Sequence, residues 1–383
     1  MRIRGARYYQ YALQLKRPLI LRGKTVAKRE GYLIAIESAD GAIGYGEVAP
    51  LPGFSLENME SALASARHVV SALTKSEYTL DAEPYGARPW DRSFASVRFG
   101  VEAALLHLHA QAEGKTLGQL LNPRCREAVS LNALLLGARE DVLEQVARRL
   151  DDGYRTFKLK IGQSRVDDDL ATVHAVREAI GESATLRLDA NQAWVYEDAV
   201  RFARGLGDCR IQYVEEPLRD AAYLARLHDE TGIAYAVDET LTQVGWWRIL
   251  QWLREGLLCK APESDAPNRL CATIRSAAAW VIKPTLAGLP PIGLFRDLVD
   301  GAVSTQMVLS AAFESGFGLG LVANVAACLN ADDVAAGLDT YSWLAEDVLM
   351  ETLPIEDAVL DLVETNAMMG RFRQQALVEA VNE

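Results

Sequence analysis

Charged and polar side chains recur along the middle of this sequence at intervals typical of a strand and the helix that follows it. Each comes at the end of a short apolar segment, and they are Lys160, Asp189, Glu215, Asp238, Lys283 and Ser310. Successive members are 29, 26, 23, 45 and 27 residues apart. In a parallel α/β barrel the active site lies at the carboxyl ends of the strands. The spacing therefore predicts that these side chains converge on one rim.

Three of these side chains are carboxylates, Asp189, Glu215 and Asp238. Three neighbouring negative charges are unfavourable unless a cation neutralises them. Mg²⁺ prefers oxygen ligands and keeps places for water or substrate. We therefore predict Mg²⁺, with Mn²⁺ as a possible substitute; the alternative is that each carboxylate caps the following helix. Because adjacent strand residues face opposite sides, Glu215 rather than Glu216 is expected to face inward.

Two lysines in the segment TFKLKI (156–161) lie two residues apart, so both face the same side of a strand. At the barrel mouth, Lys158 and Lys160 would disfavour each other's charge, which would leave Lys160 able to act as a neutral base. The alternative, an exposed edge strand, is disfavoured because a closed barrel has no edge.

The interval from Asp238 to Lys283 is about twice that of one strand–helix unit. Lys260, 22 residues after Asp238, has the expected spacing and is the alternative to Lys283. If Lys283 is the rim lysine, residues 241–270 contain an insertion.

The elements that must position these side chains fall into three regions. Residues 1–125 show strand-like alternation, a hairpin at Asp40-Gly41 and then helical periodicity, which predicts an α+β domain. In residues 126–345 short apolar strands, of which VSLNALLL (129–136) is the first, alternate with amphipathic helices. This alternation indicates a parallel sheet and favours a closed barrel over an open sheet. Residues 346–383 are expected to return to the first domain.

Composition excludes several classes of function. The chain has 383 residues, 40 basic and 52 acidic, and a net charge of −12, which argues against a nucleic-acid partner. Five cysteines without a CxxC pair indicate a reducing compartment. The first residues lack the apolar core of a secretory signal, and no apolar run reaches membrane-spanning length. We expect a soluble, cytoplasmic protein with no membrane partner, and its oligomeric state stays undecided.

Several motifs resemble those of the enolase superfamily, muconate-lactonising subgroup. They are KLK (158–160), LRLDAN (186–191), VEEP (214–217), VDET (237–240) and IKPTLAG (282–288). Within that subgroup, three further stretches are most similar to the o-succinylbenzoate synthase family, namely GYGEVAPLPGFS (44–55), RLDANQAW (187–194) and LSAAFESGFGL (309–319).

This resemblance implies an α/β fold, a modified TIM barrel of the (β/α)7β type with an α+β capping domain. It implies a hydro-lyase that dehydrates a cyclohexadiene dicarboxylate to 2-succinylbenzoate for menaquinone or phylloquinone biosynthesis. By position, Lys160 corresponds to the base that takes the α-proton and Lys283 to the lysine on the opposite face. The carboxylates of Asp189, Glu215 and Asp238 correspond to the Mg²⁺ ligands.

The resemblance also implies which residues border the substrate. Those on the barrel are Lys158, Arg187, Asn191, Ser310, Ala311, Glu314, Ser315 and Gly316. The turn at Glu314–Gly316 is expected to hold the succinyl carboxylate mainly through backbone N–H groups. In the family, two loops close over the barrel, here residues 16–29 and 50–55. The first has lysines and arginines and no acid; the lid contact candidates are Phe54, Arg22 and Lys24.

Other functions remain open at this level. A racemase of N-succinylamino acids or a dipeptide epimerase of the same superfamily would use the same lysines. A barrel that binds an anion without chemistry is a further alternative; it predicts that Lys160→Ala leaves function intact. The basic lid segment could equally be a solvated hairpin tip.

Overall fold

The computed structural model describes residues 1–75, 88–258, 266–290, 292–300, 305–329 and 333–380. The N-terminal part is a sheet followed by helices, with β1 Ile3–Leu21, β2 Lys24–Ser38, β3 Ile43–Val48, α1 Met59–Leu73, α2 Ala95–Ala112 and α3 Leu117–Leu121. The three strands are antiparallel. Helix α2 packs directly on β3, since a Cβ atom at Gly44 or Gly46 would collide with backbone carbonyls of that helix. The two glycines therefore allow the helix to approach the sheet closely.

Strands and helices then alternate as the sequence predicts. The elements are β4 Ala128–Ser130, β5 Ala133–Leu135, α4 Arg139–Asp151, β6 Thr156–Lys160, α5 Val166–Ile180, β7 Thr185–Asp189, α6 Tyr196–Gly205, β8 Tyr213–Glu215, α7 Leu224–Thr231, β9 Tyr235–Val237, α8 Glu239–Arg254, α9 Ala266–Ser276, β10 Ala279–Ile282, α10 Pro284–Ala287, α11 Ile292–Val299, β11 Gln306–Leu309 and α12 Gly316–Leu329. Strands β5 to β11 form one parallel sheet in chain order.

A two-residue segment joins the two edges of this sheet. Ala336 makes a parallel bridge to Leu131, just before β5, and Gly337 makes one to Ser310, just after β11. This segment acts as the eighth strand and closes the barrel. The predicted (β/α)7β barrel with an antiparallel sheet beside it is confirmed.

The remaining elements contact both parts of the chain. They are β12 Ile355–Glu356, β13 Val359–Asp361, α13 Leu362–Met368 and β14 Val378–Glu379. Strand β13 pairs with β4 next to the barrel, and β14 pairs with β1 of the N-terminal sheet. No helix in the described ranges is long and apolar enough to cross a membrane.

The structure modifies two sequence-based predictions. The single strand expected over 129–136 is two strands, because Leu131 and Asn132 between them bond to Ala358 and Ala336. Between β9 and β10 lie two helices, α8 and α9, which account for the long interval there. Lys260, the alternative rim lysine, lies outside the described residues.

Candidate active site

The carboxyl ends of neighbouring strands bring the predicted carboxylates together. Lys160 pairs in register with Asp189, and Asp189 pairs with Glu215 on the next strand. Asp238 follows β9 directly. The three acids are 0%, 0% and 2% exposed. Buried carboxylates this close to one another need positive charge beside them.

Lysines supply that charge in the structure. Lys158 Nζ lies 2.8 Å from Asp189 and 2.7 Å from Glu215. Burial lowers the pKa of Lys158, but the carboxylates of Asp189 and Glu215 outweigh it and hold this pKa well above its usual range. The predicted repulsion between Lys158 and Lys160 is therefore not the main interaction here, because both ammonium groups lie against Asp189.

Lys160 lies at the top of β6 and lines a large cavity. Its Nζ donates hydrogen bonds to Asp189 Oδ2 at 2.5 Å and to Asn191 Oδ1 at 2.7 Å. Asn191 has a φ of 44°, in the left-handed region, and its backbone N–H donates to the other Asp189 oxygen at 3.0 Å. The turn after β7 thus fixes both acceptors of Lys160.

Lys283 follows β10, four strands away from β6 in an eight-stranded barrel, so it faces Lys160 across the mouth. Its Nζ contacts Asp238. Burial lowers the pKa of Lys283, but the Asp238 carboxylate raises it further, so the net shift is upward. Asp238 makes no side-chain cap on α8, which contradicts the capping alternative for this carboxylate.

The donor set suits a hard divalent cation. Burial, followed by the negative charge of Asp189, raises the pKa of Glu215 well above its usual range. The pKa of Asp189 shifts the other way: burial raises it, but Lys158, Lys160 and Lys283 outweigh burial and hold it well below its usual range. Among the described residues no three acidic, histidine or cysteine groups form a ready metal cluster. The carboxylates are instead paired with lysines, and the fit to Mg²⁺ rests on donor chemistry and burial.

Glu216 has a structural role that the sequence analysis missed. Its carboxylate accepts the backbone N–H groups of Asp238 and Thr240 at 2.8 and 2.7 Å, and the Gln192 amide at 3.0 Å. Burial, with Glu239 close by, raises the pKa of Glu216 to about 7. Glu216 therefore points away from Lys158 and holds the turn that carries Asp238. The one sequence feature that could have indicated this role is the position of Glu216 next to Glu215 in VEEP (214–217).

A cavity of about 1100 Å³ lies above these side chains. Its floor is formed by Lys158, Lys160 and Lys283 together with Asn191, Ser310 and Ala311. The carboxylates of Asp189, Glu215 and Asp238 do not line it. Its roof comes from residues 17–22 and from Leu51 and Phe54. The lid segments predicted from the sequence thus border the cavity.

The predicted lid contacts divide into two groups. Arg22 lines the cavity; its guanidinium lies 4.3 Å from the centre of the Phe54 ring and 4.0 Å from Glu239. Lys24 is exposed and is not among the lining residues. Arg17 was missed: it lines the cavity 4.0 Å from the Trp343 ring centre. A segment with six basic residues and no acidic one gave no means of ranking its members.

The backbone donors predicted to hold a substrate carboxylate already have partners. Ser315 N donates to Glu47 at 3.1 Å and Gly316 N to Asp347 at 2.9 Å. Ala312 N donates to the carboxylate of Glu314 at 2.6 Å. The N–H groups of Ser315 and Gly316 are thus bonded to buried carboxylates of the protein, and substrate binding by the Glu314–Gly316 turn stays a prediction.

Arg187 and Ser310 lie at different depths. Arg187 is buried inside the barrel, where its guanidinium donates to Gln212 at 2.7 Å, Asn132 at 3.0 Å and the Ala335 carbonyl at 2.7 Å. It does not line the cavity, whereas Ser310 does. Arg187 thus connects strands beneath the site.

Arg29, from the basic segment, joins three parts of the chain. It is 1% exposed, and its guanidinium donates to the backbone carbonyls of Pro50 at 2.8 Å and Phe313 at 3.0 Å. It also contacts Ala49 O. Because Phe313 lines the cavity, Arg29 ties both lid segments to the loop after β11.

Comparison with known proteins agrees with this geometry. A family model described as MenC, N-terminal domain, matches residues 3–108, and one described as Enolase C-terminal domain-like matches residues 141–260. An o-succinylbenzoate synthase from Pasteurella multocida is 30% identical over 93% of this chain and 96% of its own. The chain belongs to the o-succinylbenzoate synthase family. The predicted resemblance is confirmed.

A plant protein is also similar to this chain. The chloroplastic protein PHYLLO of Arabidopsis thaliana is 33% identical over 92% of this chain, which spans only 22% of that longer protein. Because this relative is chloroplastic, a cytoplasmic location for the present chain stays a prediction.

Solved structures support the fold expected for the o-succinylbenzoate synthase family. The muconate lactonizing enzyme from Pseudomonas fluorescens, complexed with muconolactone, is 25% identical with a TM-score of 0.77 and covers 99% of this chain and 96% of its own. A dipeptide epimerase from Enterococcus faecalis, complexed with Mg and a dipeptide, is 20% identical with a TM-score of 0.77 and covers 98% and 99%. The similarity to the epimerase supports the fold of this chain and says nothing about its reaction.

Proposed function

We propose that this protein dehydrates 2-succinyl-6-hydroxy-2,4-cyclohexadiene-1-carboxylate to 2-succinylbenzoate, the hydro-lyase reaction of menaquinone and phylloquinone biosynthesis. The observation that carries the proposal is the placement of Lys160 and Lys283 on opposite sides of one cavity, above buried carboxylates. A ring bound between them has one lysine on each face. The family of the chain supports the same reaction.

Lys160 is assigned the proton transfers. As the free amine it takes the proton from C1, α to the ring carboxylate, and the electron pair moves into that carboxylate to give an enediolate. The pair then returns to form the C1–C6 double bond as the C6–O bond breaks. The Lys160 ammonium gives its proton to the departing hydroxide on the same face, so one water leaves.

Lys283 is assigned an electrostatic role. Asp238 raises its pKa, so it keeps its proton at neutral pH and presents positive charge to the enediolate from the other face. The product ring is aromatic, which makes the elimination favourable. The main task of the site is therefore to stabilise the enediolate.

Asp189, Glu215 and Asp238 would hold Mg²⁺, for which Mn²⁺ is a substitute. When bound, the ion supplies positive charge that stabilises the enediolate. Lys158, which lies against two of these acids, is assigned to balancing their charge. Asn191 keeps Lys160 oriented through its side-chain oxygen.

The rest of the chain would enclose the reaction. In this proposal residues 1–125 and 346–383 cap the barrel of residues 126–345, and the lid segments exclude water from the cavity. Arg17 and Arg22 give the roof a positive charge that suits a dicarboxylate substrate.

The test is an absorbance assay with purified protein, the hydroxycyclohexadiene dicarboxylate and Mg²⁺, with EDTA as the control. We expect rapid Mg²⁺-dependent loss of the diene absorbance and formation of 2-succinylbenzoate. No loss of absorbance by folded, Mg²⁺-loaded protein would refute the proposal. An assay for deuterium incorporation into N-succinylamino acids would then test the racemase alternative.

A further inference from the structure

A series of contacts connects Lys160 to the lid. Lys160 Nζ donates to Asn191 Oδ1 at 2.7 Å, and Asn191 Nδ2 donates to Glu239 Oε1 at 3.0 Å. The guanidinium of Arg22, at the tip of the β1–β2 hairpin, lies 4.0 Å from the same Glu239 oxygen. The series starts in the barrel and ends in the N-terminal domain.

We infer that Glu239 is a positioning residue that couples the hairpin to the orientation of Asn191, and through Asn191 to Lys160. This inference rests on the proposed function, in which Lys160 is the base. Glu239 itself does not line the cavity, so it is not assigned any contact with substrate.

The chemistry of the amide explains why Glu239 can do this. The Asn191 side chain has one oxygen that accepts and one NH₂ group that donates. An ionised Glu239 only accepts, so it requires the NH₂ group on its own side and leaves the oxygen facing Lys160. A flipped amide would direct its NH₂ group at the Lys160 ammonium and lose both hydrogen bonds. Glu239 thereby selects the orientation that holds Lys160.

The hairpin end of the series is held by geometry as well as charge. Arg22 and Gly23 form the turn between β1 and β2 with φ angles of 46° and 79°. The Arg22 guanidinium lies over the Phe54 ring, which belongs to the second lid segment. Its side chain is 53% exposed, whereas that of Glu239 is 10% exposed. The hairpin tip thus places the Arg22 charge beside a nearly buried carboxylate, that of Glu239.

Four variants separate the two contacts of Glu239. Glu239→Gln keeps an oxygen that accepts from Asn191 but loses the charge that attracts Arg22. Glu239→Ala loses both. Arg22→Met removes the ion pair from the other side, and the double variant Arg22→Met/Glu239→Gln removes it from both. Lys28→Met is the matched control. Lys28 is a cation of the same hairpin, but it pairs with Glu30 and not with Glu239.

We expect Glu239→Ala to lower kcat about ten- to a hundredfold, as the loss of a hydrogen bond to a charged group predicts. Glu239→Gln should restore kcat to within about two- to fivefold of the wild type, the loss expected for a half-exposed ion pair. Arg22→Met should have the same effect as Glu239→Gln, and the double variant should be no worse than either single one. Lys28→Met should match the wild type.

A second measurement needs no substrate. Amide hydrogen exchange in peptides covering residues 16–24 should rise equally in Arg22→Met, Glu239→Gln and the double variant, and should be unchanged in Lys28→Met. If the wild type fails to turn over the diene, the proposed function is refuted while this measurement still decides the coupling.

Three results would count against the inference. One is multiplicative loss of kcat in the double variant, because Arg22 and Glu239 would then act independently of each other. Another is unchanged hydrogen exchange at the hairpin in Glu239→Gln. Failure of Glu239→Gln to rescue kcat relative to Glu239→Ala would also remove the role assigned to the amide.

Discussion

Lys158 Nζ lies 2.7 Å from the carboxylate of Glu215, although β7 separates their strands in the sheet. The same ammonium is 2.8 Å from Asp189 on that intervening strand. One buried cation is therefore shared by two fully buried acids. Removing it would leave Glu215 without its lysine and Asp189 with Lys160 alone inside the barrel, so the stability of the barrel depends on Lys158.

We predict that Lys158→Met destabilises the protein by about 3–5 kcal/mol in EDTA, the usual cost of breaking a buried ion pair from one side. Mg²⁺ should recover part of this loss, because a cation at the acids replaces the missing charge. Urea unfolding with EDTA or Mg²⁺ measures both effects. Lys115→Met, which removes an exposed lysine paired with Glu113, should leave the midpoint unchanged. Equal stability of Lys158→Met and wild type would contradict the shared-cation arrangement.

Replacement of the two rim lysines should stop turnover by different routes. Lys160→Ala should lower kcat about 10²- to 10⁴-fold because proton transfer is lost. Lys283→Ala should lower it about 10²- to 10³-fold because charge stabilisation is lost. Steady-state kinetics and circular dichroism check activity and folding together. Normal turnover by folded Lys160→Ala would refute the assignment of the proton transfers to Lys160.

A substitution at Ser315 distinguishes between two roles of its loop, substrate binding and structural support. The backbone N–H and hydroxyl of Ser315 both bond to the buried Glu47 carboxylate. Ser315→Ala leaves that acid with one partner fewer, so we expect a loss of about 1–3 kcal/mol in unfolding free energy and a KM within about twofold of the wild type. Urea unfolding and steady-state kinetics test this. A large rise in KM with unchanged stability would return the loop to the substrate site.

His107 should make stability fall in mild acid. Its Nδ1 accepts the backbone N–H of Tyr45 at 3.2 Å, and burial lowers its pKa below the usual value. The unfolded chain, with a histidine pKa of about 6.5, takes up the proton first. Stability from the neutral ring is thus present above about pH 6.5 and is lost as the pH falls toward the lower pKa of the folded state.

His107→Gln keeps an acceptor but does not titrate, so its unfolding free energy should vary less between pH 7.5 and 5.5. His174→Gln, a change at an exposed histidine, is the control and should keep the wild-type pH dependence. Parallel pH dependence in wild type and His107→Gln would show that another group is responsible.

The sequence by itself determined the barrel and the residues at its rim. Period-two alternation places Lys158 and Lys160 on one face, and it separates Glu215 from Glu216. The return of a charged or polar residue at the end of successive apolar strands locates the rim, because parallel strands end on the same side. These are local properties of the chain, so they are visible without knowing which segments meet.

Only the tertiary structure decided what the polar groups of the loops bind. Glu47 meets Ser315 from 268 positions away in the sequence, and Arg29 meets Phe313 across 284. No local pattern records such distances, and a backbone N–H has the same sequence signature whether it faces a substrate or a buried acid. The sequence therefore could not show that the backbone donors at Ser315 and Gly316 bond to Glu47 and Asp347. The eighth strand was equally hidden, since two residues are too short to show any periodicity.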